Sequence, residues 1–377
     1  LKQNRAADAL TIWEEFRSSR HFTDIEALHQ NPDCSPSMAK AHFPAADGVN
    51  ILVYAFLPGG LSGWILNRNG IEQHRIDDDR ARALASRFAE LVARPDSPLE
   101  NISATGRQLY DLLLAPFAHS LPPDGTIVID AEGVLANFPW QALEDDQGHP
   151  LVERFAFSQT VGLASVLEHH DDSHIDLSRT LIFGSPTLPQ DLGRYPDLTD
   201  ATREARKLHS DLPGSVLFEE KEATAETFRK QAPQSTTFHF AGHGISYGGF
   251  GALLLAPLAG KGPANDAYFT AHEIADISLQ RMQLVVLASC SSGVGEQSGV
   301  VDLDSLTRAF LEAGAQRVIA SSWEVDSSAT ADLMGAFYNR LENGTTAAES
   351  LRQAQMAIRQ TMRHPYYWAA FRVFGRP

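Results

Sequence analysis

From about residue 178 onward, short apolar runs alternate with amphipathic stretches. The runs "TLIFGS", "SVLFEE", "TTFHFAG", "QLVVLASC", "RVIASSWEV" and a terminal "WAAFRVFG" read as strands, and helical patterns lie between most of them. One such helix spans 305–313, with Asp304 as its cap and Gly314 as its stop. Another spans 347–362 behind Thr346-Ala-Ala-Glu349, the spacing of a capping box. Runs such as "LVVLA" show no polar alternation, as expected for strands covered on both faces in a parallel sheet.

The first half has a different rhythm. Residues 5–20 form a helix pattern through Leu10, Trp13 and Phe16/Arg17, and 31–44 read as a loop. Three strand patterns follow, "ILVYAFL", "SGWILN" and "IEQHRI", separated by Gly59-Gly60 and Asn69-Gly70, dipeptides suited to tight hairpin turns. Helices are predicted over Asp79–Arg94 and Ala104–His119, then a strand in "TIVID" at 126–130. No repeat of 20–50 residues is visible.

With 377 residues, the chain is long enough for two domains or one large α/β unit. Its 43% apolar and 21% charged content is globular. The net charge of −16 argues against nucleic acid or an anionic membrane as a direct partner, and it suits a basic polypeptide. Two cysteines, Cys34 and Cys290, are too few for a disulfide framework and point to a reducing cytoplasm. No apolar run is long enough to cross a bilayer. The start, "LKQNRAADAL", has neither a methionine nor a signal-peptide core, as if cut from something longer.

Reactive residues in parallel sheets gather beyond the carboxyl ends of the strands. Two loops occupy such positions, "AGHGISYGG" and "SCSSGVGEQSG". Cys290 ends the most apolar strand, and His243 holds the matching end of another. A thiol is only slightly ionised at neutral pH, so a neighbouring imidazole that takes its proton supplies the reactive thiolate. Gly244 lets bare backbone approach a carbonyl, and its N–H with that of Cys290 would form an oxyanion hole.

Other motifs compete. His239 lies inside its strand and reads as a packing or hydrogen-bonding residue. Gly244-Ile-Ser246-Tyr-Gly248 matches a serine nucleophile elbow, which needs a helix directly after it, and keeps a serine hydrolase as the alternative. "AHEIAD" has Asp276 where a zinc motif needs its second histidine, and no glycine-rich phosphate loop is present, so no metal or other cofactor is expected. A non-catalytic scaffold is the third possibility.

"FHFAGHG" followed by "LVVLASCSSG", with His243 and Cys290 47 residues apart, resembles the caspase-like cysteine proteases, whose spacing is roughly 50. "LLLAPFAHSLP", "EGVLANFPWQAL", "TREARKLHS", "LTRAFLEAGAQRVIASSWEVDSSATADLMGAFYNRL" and "HPYYWAAFRVFG" resemble the CHAT domain family in particular, from about residue 50 to the end. "SCSSG" is also similar to the separase motif. Two departures are Gly184-Ser185-Pro186 where the family has Gly-Asp-Pro, and "SSGVGEQSGVVDLDSLTRAF" where it has a Gly-Glu-Gly run.

The resemblance implies an α/β fold, a caspase-like three-layer sandwich on a mostly parallel sheet. It divides the chain into a lead-in at 1–45, a non-catalytic caspase-like half at 46–170 and a catalytic half at 171–377. It implies a cysteine endopeptidase with His243 as base and Cys290 as nucleophile. The pocket for the residue before the scissile bond would be lined by Trp323, Glu324 and Asp326, with Glu324 and Asp326 on one side of an extended strand and selecting arginine or lysine. The glycine-rich loop 291–303 is where control would act. The implied partners are a protein substrate such as a gasdermin-like effector and an upstream sensor or tetratricopeptide-repeat region, in bacterial immunity or cell death.

Overall fold

The structure, a computed structural model, describes residues 6–13, 49–160, 162–163, 174–193, 195, 198–247, 250–257, 264–288, 304–324 and 326–376. The strands are β1 (Asn50–Leu57), β2 (Gly60–Asn67), β3 (Gly70–Ile76), β4 (Gly125–Ala131), β5 (Phe155–Thr160), β6 (Thr180–Pro186), β7 (Val216–Glu220) and β8 (Thr237–Ala241). They continue with β9 (Gly244–Tyr247), β10 (Phe250–Leu254), β11 (Tyr268–Thr270), β12 (Leu284–Leu287), β13 (Arg317–Ser321) and β14 (Phe371–Gly375). Eleven of them make one sheet in the order β3-β2-β1-β4-β5-β14-β13-β12-β8-β6-β7, and β11-β10-β9 make a small second sheet. The molecule is therefore α/β with a large, mostly parallel sheet.

Nine of its strands form two parallel blocks running in opposite directions, and β2 and β3 add an antiparallel hairpin at one edge. β1, β4, β5 and β14 are parallel to one another, and β13, β12, β8, β6 and β7 likewise. The antiparallel β13–β14 pair joins the blocks. As a result the carboxyl ends of β7, β6, β8, β12 and β13 lie along one edge.

Helices cover both faces: α1 over residues 6–13, then α2 (Asp78–Val92), α3 (Leu99–Leu113), α4 (Thr199–Asp211), α5 (Ala225–Gln231) and α6 (Ala271–Ala275). Further along come α7 (Asp304–Glu312), α8 (Ser327–Glu342), α9 (Ala347–Thr361) and α10 (Pro365–Trp368). The period-2 geometry of the strands splits their apolar residues between two layers. Leu284 and Val286 of β12 face a core built with α2, α3, α4, α8 and α9. Val285 and Leu287 face the opposite core, shared with α5, α6 and α7. Leu10 and Trp13 of α1 pack with Ile51, Val53 and Trp64 over the far end of that second face.

Several elements depart from the sequence reading. α3 starts five residues before the predicted Ala104, directly behind Pro98, which holds the extended N-cap position. It stops at Leu113 because Pro116 cannot donate to a helix, and the chain tightens into a 3₁₀ turn over Ala115–Phe117. β5 was not predicted; its polar Ser158, Gln159 and Thr160 are buried like its apolar half and obscure the pattern. Asp304 is the first helical residue of α7 rather than a residue ahead of it. Gly314 follows with φ +110°, the left-handed geometry that ends helices. At α9 only half of the capping box forms: Thr346 accepts from the Glu349 N–H, while the Glu349 carboxylate binds Arg352.

Among the described residues, no helix is long and apolar enough to cross a membrane.

Candidate active site

The loop after β8 is shaped by two glycines. A Cβ on Gly242 would lie 2.5 Å from the Phe240 ring, so only glycine fits this return of the chain. Gly244 opens β9 opposite Leu253. The neighbouring Leu254 N–H donates to the His243 carbonyl at 2.8 Å. That bond makes Gly244–Leu253 a non-hydrogen-bonded pair, so the Gly244 N–H turns away from β10.

His243, between these glycines, is 7% exposed. Its imidazole lies against Tyr195, with ring centroids 5.3 Å apart and planes inclined by 49°. Tyr195 is a site residue that the sequence reading missed, since "GRYPDL" carries no periodic signal.

Cys290 and the rest of 289–303 lie outside the described residues, as does the loop proposed for control. β12 ends three residues before Cys290, and its register against β8 is explicit: Leu287 stands level with Phe240.

The three predicted specificity residues follow the end of β13. Trp323 is buried, and its indole N–H donates to the Tyr366 carbonyl at 3.0 Å. Glu324 is exposed. The expectation that Glu324 and Asp326 share one face of an extended strand is corrected here, because β13 ends at Ser321 and Asp326 caps α8. Its Oδ1 accepts from the Ser328 hydroxyl (2.8 Å) and from the Ser328 and Ala329 N–H groups (both 3.0 Å). These bonds, led by the Ser328 hydroxyl, hold the Asp326 carboxyl below its ordinary range.

The competing motifs resolve differently. Residues 244–247 form a strand leading into the β9–β10 hairpin, and no helix follows, so the nucleophile-elbow context for Ser246 is absent. His239 is fully buried; its Nδ1 lies 3.1 Å from the Tyr338 hydroxyl, as a hydrogen-bonding core histidine should. Its Nε2 is 3.0 Å from Glu204 Oε1, an off-axis electrostatic contact rather than a hydrogen bond. Burial foremost, and then the Glu204 carboxylate, push the Tyr338 phenol well above its ordinary value. In "AHEIAD", Glu273 completes a capping box with Thr270 and pairs with Arg229. No cluster of three or more His, Cys, Asp or Glu placed to hold a metal exists among the described residues.

A cavity of about 910 Å³ opens beside His243, on the side of β6 and β7. At its rim the β6–β7 register slips between Gly184 and Pro186. Ser185 and Glu220 take positive φ there (42° and 49°), a conformation that non-glycine residues keep only when their surroundings impose it.

The CHAT domain family model matches residues 103–376, most of the chain. The chain belongs to the CHAT domain family. The match begins within α3, so β1–β3 lie ahead of it. Tetratricopeptide repeat protein 28 of Homo sapiens is 29% identical to this CHAT chain over 327 residues, and that of Mus musculus 29% over 328. Each alignment covers 71% of the chain but only 13% of the relative's length. Among solved structures, the Saccharomyces cerevisiae separase–securin complex is similar with a TM-score of 0.53 at 12% identity, covering 89% of this chain and 30% of that one. That likeness is one of fold, and the CHAT chain has a caspase-like architecture.

Proposed function

We propose that the chain is a cysteine endopeptidase in which His243 and Cys290 act as a dyad. The observation that carries this reading is the β8–β12 register. His243 follows Phe240 by three residues, and Cys290 follows its partner Leu287 by three. Neighbouring strands run about 4.8 Å apart. Cys290 follows Ala288 by two residues, a chain reach of at most about 7 Å.

The chemistry follows from that adjacency. The imidazole takes the thiol proton, and the Cys290 sulfur bonds to the scissile carbonyl carbon. The C–N bond then breaks as the imidazolium returns its proton to the leaving amine, leaving a thioester. Water, deprotonated by His243, attacks the thioester and releases the acid with the free thiol. The N–H groups of Gly244 and Cys290 would hold the oxyanion, each worth about 3 kcal/mol.

Cleavage after arginine or lysine rests on Glu324, beyond β13 on the other side of β12. Asp326 adds a second carboxylate, whose Oδ2 stands outside the capping bonds. In this reading, residues 46–170 are a non-catalytic half and 171–377 the catalytic one. An upstream tetratricopeptide-repeat region would order the loop 291–303 and switch the enzyme on. The relatives' name and the 13% of their length matched here support a tetratricopeptide-repeat region outside this stretch of chain. A role in bacterial immunity or cell death, on a gasdermin-like or other protein effector, rests on the family resemblance alone.

Cys290→Ala and His243→Ala should each lower cleavage of a peptide library by more than about a thousandfold, whereas Ser246→Ala should leave it intact. Retained cleavage in Cys290→Ala with loss in Ser246→Ala would restore the serine-hydrolase reading. No cleavage by the wild-type chain, even with its upstream region attached, would favour a scaffold.

A further inference from the structure

Among the described strands, β9 pairs with β10 and with no other, so none of them covers its second edge. The bond from the Leu254 N–H to the His243 carbonyl fixes which groups line that edge. Antiparallel pairs alternate, so Ile245–Ala252 and Tyr247–Phe250 exchange hydrogen bonds, whereas Gly244–Leu253 and Ser246–Gly251 do not. The backbone N–H and C=O groups of Gly244 and Ser246 therefore point away from β10, about 7 Å apart along the strand. Ile245, between them, is buried in a cluster with Leu192, Tyr195 and Leu254, and the Tyr195 ring lies against the His243 imidazole. The edge is thereby held in one piece with the histidine.

Uncovered edges invite strand pairing, and charges, prolines, bulges or very short strands usually guard them. β3 carries Glu72, His74 and Arg75 at one end of the large sheet, and β7 carries Glu219 and Glu220 at the other. β11, the far edge of the small sheet, has three residues and runs into the cap of α6 at Thr270. β9, Gly-Ile-Ser-Tyr, has no charge and no proline, and it pairs with β10 in unbroken register. Its first outward N–H, that of Gly244, is the one proposed above as an oxyanion donor. An extended peptide presents carbonyls on one side every two residues, the same period as the β9 edge. A peptide whose scissile carbonyl reaches the Gly244 N–H therefore brings the carbonyl two residues away to the Ser246 N–H. Resting on the protease reading, we infer that β9 binds the main chain of the substrate as an added strand, with the Ser246 N–H as its second anchor. The partner is thus an extended stretch of polypeptide, held at this edge by its backbone rather than by its side chains.

The test uses the full chain, an octapeptide with arginine before the scissile bond, and an arginine coumarylamide too short to reach Ser246. Proline is tolerated on an edge where the N–H faces outward, so Ser246→Pro removes that donor and keeps the pairing with β10. It should lower kcat/KM for the octapeptide roughly tenfold, the scale of one lost hydrogen bond, and change that for the coumarylamide less than about twofold. Octapeptide cleavage unchanged, or both substrates slowed equally in a variant folded by circular dichroism, overturns the inference and leaves the protease reading standing. Esters placed so as to weaken the peptide carbonyl two residues before or after the scissile one probe the same bond from the substrate. One of the two esters should be cleaved several-fold more slowly, and that loss should vanish in Ser246→Pro. If the variant does not fold, the wild-type ester series decides alone, and no loss with either ester overturns the inference. Cleavage of neither substrate by the wild-type chain overturns the protease reading. In that case calorimetric binding of the octapeptide to the Cys290→Ala chain still decides the edge. Binding weakened about tenfold by adding Ser246→Pro supports it, and binding unchanged, or none at all, overturns it.

Discussion

Gly184 of β6 and Ala205 of α4 meet without room for a methyl group: a Cβ on Gly184 would stand 2.6 Å from the Ala205 Cβ. No real pair of carbons approaches so closely, and the atom in the way belongs to a fully buried side chain with no freedom to turn. Gly184→Ala should therefore shift α4 outward and cost about 1–3 kcal/mol, read from the midpoint of urea unfolding. Adding Ala205→Gly returns the space and should recover part of the loss, although a helical glycine itself costs about 1 kcal/mol. The double variant should be more stable than the sum of the two single effects predicts. Simple additivity would show that the contact does not set the position of α4.

The buried group Glu204–His239–Tyr338 ties α4, β8 and α8 together. Tyr338→Phe takes away the hydroxyl that His239 Nδ1 contacts and leaves that buried nitrogen without its observed partner. The expected cost is about 1–3 kcal/mol.

The same phenol sets an alkaline limit. Burial also raises Tyr54, whose hydroxyl donates to the Leu113 carbonyl at 2.7 Å. Both phenols are raised in the folded chain, so the unfolded chain loses these protons first, near the ordinary value of about 10. The stability they contribute is complete below that value and falls as pH rises above it. Ultraviolet titration of the native protein should show Tyr54 and Tyr338 silent until unfolding. Tyr338→Phe should flatten the loss of stability above pH about 10.

Much of the architecture could be read from local pattern, because each buried strand had to be apolar on both faces. "LVVL", "RVIAS" and "TFHFA" gave β12, β13 and β8 for that reason. Register is another matter: nothing in "LVVL" says that Leu287 stands beside Phe240, because that alignment is set by strands and helices far away in the chain. β5 escaped because buried side chains such as Gln159, held close to Arg372, look like surface residues in a string of letters. At the candidate site, His243 and its glycines were legible, whereas Tyr195 and the residues of α4 that line the cavity were not. "TREARKLHS" shows the helix but not the cavity it faces. Asp326 misled because "DSSA" is equally an N-cap sequence, and that local role is the one the backbone uses.

That double reading of Asp326 makes the specificity proposal separable. Asparagine retains the side-chain oxygen that caps α8 and removes only the charge, whereas alanine removes both. Asp326→Ala should cost about 1 kcal/mol, and Asp326→Asn only a few tenths. The capping bonds hold the carboxyl below its usual range, so the stability lost in Asp326→Ala should be constant at neutral pH. Because the folded value is the depressed one, that difference should persist down to the ordinary value of about 3.9 and vanish as pH falls through the folded value. Glu324 has no such duty to the helix, so Glu324→Gln should leave stability within about 0.5 kcal/mol, as for an ordinary surface change. On a positional peptide library, Glu324→Gln should lower the preference for arginine and lysine before the scissile bond by roughly tenfold, the difference between keeping and losing one charge-assisted contact. Asp326→Asn should lower it less, since its charge sits against the first turn of α8. A wild-type preference for aspartate, or unchanged basic selectivity in both variants, would remove this end of β13 from substrate recognition. The cap would then be the whole role of Asp326, and its acidity a matter of folding alone.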